Sequence, residues 1–76
     1  MTRILVVEDE LDIASVLLDY LRHAGFEAEH IADGRAALAR LLADPPDLTL
    51  LDIMLPGLDG LSILRQLQPG ATHPVI

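Results

Sequence analysis

The chain has 76 residues, 51% hydrophobic but only 3% aromatic, which allows one small domain with an aliphatic core that buries about 60% of the surface its unfolded chain exposes. Twelve acidic residues face five basic ones, all arginine, and the formal net charge of −7 repels a phosphate backbone, so direct nucleic-acid binding by this segment is not expected. Cysteine is absent, which excludes disulfides and thiolate metal sites; no apolar run approaches the ~18 residues of a membrane span and the first residues carry no signal pattern, so the chain reads as cytoplasmic and free of the membrane.

In chain order, Ile4-Leu5-Val6-Val7 is a continuous aliphatic run that predicts a central parallel strand, ending in Glu8-Asp9-Glu10. Ile13, Val16, Leu17, Tyr20, Leu21 and Ala24 then recur at helical spacing as one core-facing stripe, and Gly25 stops that helix as a left-handed cap. Phe26 to Ile31 alternates loosely and predicts an exposed edge strand. Asp33 is placed to cap a second helix over 35–43, with Ala37, Leu38, Leu41 and Leu42 inward, and Asp44-Pro45-Pro46-Asp47 breaks it.

Leu48-Thr49-Leu50-Leu51 is a second buried run, reading as a strand covered on both faces. It stops at Asp52 before a loop forced by Pro56, Gly57 and Gly60. A third helix follows with Leu61, Leu64 and Leu67 inward, ending near Pro69-Gly70, and Pro74-Val75-Ile76 opens a fourth strand. Alternating strands and helices predict an α/β fold with a parallel sheet and right-handed crossovers.

With the first strand central, the first and third strands are neighbours about 4.8 Å apart, and Glu8, Asp9 and Asp52 converge at their carboxyl ends, where open α/β sheets bind ligands. Clustered carboxylates raise one another's pKa, a penalty that a hard divalent cation removes, and Mg²⁺ takes carboxylate and main-chain oxygens such as that of Met54. A carboxylate beside such a cation can act as a nucleophile toward phosphorus, giving an aspartyl phosphate on Asp52. Glu10 and Asp12 are assigned to the helix dipole, and His23, His30 and His73 receive no role.

Glu8-Asp9 after an aliphatic strand, Asp52 after Leu48–Leu51, and the Met54-Leu55-Pro56-Gly57-Leu58-Asp59-Gly60 loop together resemble the receiver domain of bacterial two-component response regulators, most of all the winged-helix DNA-binding class. The resemblance runs over 3–76 and implies a flavodoxin-like, doubly wound sheet, cut after the start of its fourth strand, so that 1–76 is an incomplete receiver domain. It implies Asp52 as phosphoacceptor, Asp9 as a direct Mg²⁺ ligand, Glu8 acting through metal-bound water, and Met54 contributing its main-chain oxygen. Asp59 and Gly60 take a structural role at the start of the third helix.

The implied partner is a sensor histidine kinase, and the implied output is a DNA-binding, transcription-regulating domain outside this chain. The family also carries a Ser or Thr at the end of its fourth strand and a Lys after its fifth; this chain contains no Lys. A fragment of this kind is alternatively expected to be non-signalling and to form a homodimer through its open sheet edge. A phosphohydrolase ranks last, because the position two beyond Asp52 is Met54 and not an acid.

Overall fold

The structure is a computed structural model and describes residues 1–55, 59–67 and 76. Three parallel strands and three helices alternate: β1 (Arg3–Val7), α1 (Leu11–His23), β2 (Glu27–Ile31), α2 (Gly34–Ala43), β3 (Leu48–Leu51) and α3 (Gly60–Leu67). The sheet order is β2-β1-β3, so the most aliphatic strand is central, as its sequence predicts. Val7 lies in register with Ile31 on one side and Leu51 on the other, which aligns the carboxyl ends of all three strands.

Side chains alternate across the sheet. Leu5 and Val7 project to one face, where they pack with Ala37 and Leu41 of α2 and Ile63 of α3. The other face carries Ile4 and Val6, and α1 lies over β1 and β2 there. At Ile76, the described residue of the expected fourth strand, the N–H donates to the Thr49 carbonyl (2.9 Å) and the carbonyl accepts from the Leu51 N–H (2.7 Å), the bond pattern of one parallel ladder step beside β3. Pro74 and Val75, the loop residues Pro56 and Gly57, and the expected stop at Pro69-Gly70 lie outside the described residues.

Each helix departs in part from its expected stripe, α2 least, with Ala37 and Leu41 buried and Leu38 against the core as expected. In α1 the buried row is Ala14 with half-buried Leu17, Leu18 and Leu21, whereas Ile13, Val16 and Tyr20 are 46%, 54% and 74% exposed. The apolar stripe of this helix is wider than the surface that β1 and β2 cover. In α2, Leu41 is buried but Leu42, about 100° further round, is exposed. In α3 the buried residue is Ile63, with Leu64 half-buried and Leu61 exposed; the side chain of Leu67 lies outside the described residues. Thr49 is buried, but Leu48, Leu50 and Leu51 are only half-buried, so β3 is not covered on both faces.

Caps follow the sequence more closely. Gly25 adopts φ +94°, the Phe26 N–H donates to the Leu21 carbonyl (3.0 Å) and the Gly25 N–H to the Arg22 carbonyl (3.1 Å), completing a Schellman motif. Asp33 caps α2 through its side chain, which accepts from the Ala36 N–H at 3.0 Å.

Arg40 ties α2 to the edge strand. Its guanidinium holds Glu29 in a two-pronged pair (2.5 and 3.0 Å) and donates from Nε to the Asp44 carbonyl (3.1 Å). The hydrogen bond from Arg40 holds the Glu29 carboxyl below its ordinary value. A depressed carboxyl stabilises the fold above its unfolded pKa and loses that contribution as pH falls through its folded value. Glu29 is half exposed, so Arg40→Met is expected to cost only about 0.5–1 kcal/mol at neutral pH. That difference from wild type should shrink in thermal melts below the ordinary glutamate value of about 4.3; a gap that stays constant with pH would refute the electrostatic assignment.

Candidate metal centre at the strand ends

Two backbone bonds carry the sheet one residue past its strands and fix the base of the site. The Asp52 N–H donates to the Val7 carbonyl at 2.9 Å, and the Glu8 N–H donates to the Ile31 carbonyl at 3.2 Å. Glu8 and Asp52 therefore leave adjacent parallel strands at the same level, and Asp9 follows on the turn into α1. One carboxylate oxygen from each of Glu8, Asp9 and Asp52 lies within 4.8 Å of the others. Glu8 and Asp52 are partly buried, and Asp9 is exposed.

Such crowding has an electrostatic cost. Burial, followed by the neighbouring Asp52 carboxyl and then Asp9, pushes the Glu8 carboxyl above its ordinary value, against the opposing hydrogen bond from the Glu10 N–H to Glu8 Oε1 at 3.3 Å. Three hard oxygen donors with excess negative charge match what a divalent cation such as Mg²⁺ requires, so this group could hold one. Beside it, Glu8 and Asp52 border a cavity of about 200 Å³ whose floor is aliphatic, with Val6, Leu50, Leu17 and Ile76 among its lining.

The β3–α3 loop turns back on the acid it follows. The Met54 N–H donates to Asp52 Oδ1 at 3.0 Å, a local side-chain-to-backbone turn that fixes the rotation of the carboxylate. The Met54 side chain itself is 82% exposed, so what this residue brings to the site is its main chain. Asp59 caps α3, accepting from the Ser62 N–H at 2.9 Å, which holds the Asp59 carboxyl below its ordinary value. Glu10 occupies the capping position of α1 without a side-chain cap bond, and Asp12 sits in its first turn, both consistent with the helix-dipole reading.

Two residues matter more to this geometry than their sequence context suggested. Gly60 donates to the Ile53 carbonyl (2.8 Å), and a Cβ at this position would lie 2.5 Å from the Asp52 carbonyl oxygen and 2.6 Å from the Ile53 Cα. Only glycine lets α3 start this close to the backbone that carries Asp52. The Asp-Gly pair signalled a turn or helix start, but not that approach. His30, given no role above, places its Nε2 2.6 Å from the Glu8 main-chain oxygen.

Comparison with known proteins agrees with this geometry. The family model described as the response regulator receiver domain matches residues 4–76. The Mycobacterium tuberculosis sensory transduction protein RegX3 is 46% identical over 76 residues, covering all of this chain and 34% of RegX3. The Escherichia coli O6:H1 transcriptional regulatory protein BaeR is 43% identical over 74 residues, covering 97% of this chain and 31% of BaeR. The chain thus spans about a third of the length of these relatives. Among solved structures, the Francisella response regulator 1452 receiver domain superposes with a TM-score of 0.92 at 29% identity, over 99% of this chain and 63% of that one. A parallel sheet of order 2-1-3, acidic strand ends that meet and a family match through both of them lead to one assignment: the chain belongs to the response regulator receiver domain family of two-component systems.

Proposed function

We propose that Asp52 is the phosphoacceptor of a cytoplasmic signalling relay, taking a phosphoryl group from the phosphohistidine of a sensor histidine kinase in a Mg²⁺-dependent reaction. The modified state would control a transcription-regulating output domain that lies outside these residues. The observation that carries this reading is the convergence of Glu8, Asp9 and Asp52 within 4.8 Å at the carboxyl ends of β1 and β3.

An Asp52 carboxylate oxygen attacks phosphorus as the bond from phosphorus to the donor imidazole breaks; the imidazole keeps the electron pair, and an acyl phosphate forms on Asp52. The Met54 N–H on Oδ1 holds the carboxylate in one orientation throughout. Asp9, Asp52 and the Met54 main-chain oxygen would hold Mg²⁺ directly, and Glu8 would act through a metal-bound water. When bound, the cation offsets the charge of the incoming phosphoryl group and of the transition state. Without it, three clustered carboxylates repel a phosphoryl anion.

The test is intact mass after incubation with a small acyl phosphate and Mg²⁺, with and without chelator, followed by mapping of the modified residue. One phosphoryl group on Asp52, lost when the metal is chelated, is the expected result. A folded chain that gains no phosphoryl group, or gains it on another residue, would overturn the assignment.

A further inference from the structure

We propose that His30 is a positioning residue for the acidic cluster, acting through the peptide that joins Glu8 to Asp9. This rests on the Mg²⁺-dependent reading of that cluster and adds a residue to it. His30 sits on the edge strand β2 in register with Val6, and Glu8 follows two residues later on the same face of the sheet. On β2 the acidic neighbours Glu27 and Glu29 are exposed, while His30 is half-buried.

The ring Nε2 lies 2.6 Å from the Glu8 carbonyl oxygen. A carbonyl only accepts, so the ring must carry its hydrogen on Nε2 and donate it. The Glu8 N–H is already given to the Ile31 carbonyl. Both main-chain polar groups of Glu8 are therefore held by two consecutive residues of β2, one through its backbone and one through its side chain.

Among the described residues, no other hydrogen bond to the Glu8 carbonyl is present. β1 ends at Val7, and the first carbonyl used by α1 is that of Glu10, which accepts from the Ala14 N–H at 3.0 Å. The peptide between Glu8 and Asp9 thus lies between strand and helix, outside the hydrogen-bond ladders of both, and the imidazole fixes its rotation. Asp9 leaves from the far end of that peptide. A rotation there swings an exposed carboxylate away from Glu8 and Asp52 and opens the cluster, so the ring controls how well the three oxygens stay together.

The test compares Mg²⁺ affinity, by calorimetric titration of the chain, for wild type, His30→Leu and His30→Gln. Outer partners that orient ligands are worth roughly 10-fold in metal affinity at the low end, so His30→Leu is expected to bind about 10-fold more weakly. Gln keeps an amide donor at similar reach and should recover most of the loss. Equal affinity in wild type and His30→Leu, or a Gln variant as weak as Leu, would overturn the proposal. Nitrogen-15 spectra of the wild-type ring decide the point without any variant: a hydrogen on Nε2 is expected, and a neutral ring carrying it on Nδ1 would refute the bond. A wild-type chain that binds no Mg²⁺ would instead sink the phosphoacceptor reading, and with it the consequence for metal affinity.

Discussion

Asp52→Asn is expected to abolish phosphoryl acceptance and, at the same time, to stabilise the metal-free fold by up to about 1 kcal/mol, or about 4–8 °C in melting temperature for a domain of this size. The two effects share one cause. Asn keeps an oxygen that can accept from the Met54 N–H, so the loop geometry survives, but the amide is no nucleophile and carries no charge. Removing one of three carboxylates within 4.8 Å relieves the repulsion that, with burial, lifts Glu8. On the proposed metal reading, the stabilisation expected from added Mg²⁺ should be largely lost in the same variant.

The pH dependence has a definite sign. A carboxyl whose folded pKa is raised contributes stability that is fully present below its unfolded value and is lost as pH rises through its folded value. Wild type should therefore gain stability on mild acidification toward about pH 4.3, and the gain should be smaller in the Asn variant. Glu29, shifted the other way by Arg40, acts below that value, so melts across the range separate the two groups. A metal-free Asn variant less stable than wild type would show that the cluster is not under electrostatic strain.

How much of this was legible in the sequence depends on the range of the interaction involved. Asp52 and the Glu8-Asp9 pair could be placed because buried aliphatic runs end in them and because parallel crossovers leave few topologies; β1 and β3 had to be neighbours once β1 was central. Helix periodicity, by contrast, identifies which residues line up but not how wide a surface waits for them. Ile13, Val16 and Tyr20 belong to an apolar stripe, yet β1 and β2 cover only the adjacent row through Ala14. Leu61, expected inward, is exposed, and Ile63, which the expected stripe did not include, is buried. α3 starts with Gly60 lying on the Asp52 backbone, a contact that no local pattern records. His30 and Glu8 are 22 residues apart, and their bond depends on the register of β2 against β1.

Gly60→Val is expected to cost about 2–4 kcal/mol and to lose most phosphoryl acceptance in whatever fraction remains folded. Stability for a chain of 76 residues is about 4–11 kcal/mol, so the loss is a large share of the total. A Cβ would meet the Asp52 carbonyl oxygen at 2.5 Å and the Ile53 Cα at 2.6 Å, and both are backbone atoms that no side-chain rotation can move aside. Either α3 lifts, drawing fully buried Ile63 away from Leu5, Val7, Ala37 and Leu41, or the Asp52-Ile53 backbone shifts and carries the Asp52 carboxylate out of the cluster. Gly60→Ala introduces the same first clash with less bulk and should fall between. Ile63→Val separates the two routes, because it weakens the core by about 0.5–1.5 kcal/mol without touching the Asp52 backbone. Denaturant midpoints and rates of adduct formation together give the answer. If Gly60→Ala slows phosphorylation far more than Ile63→Val at matched stability, the close approach of α3 positions Asp52. A Gly60→Val chain with wild-type stability and wild-type phosphorylation would show that α3 does not rest on this backbone at all.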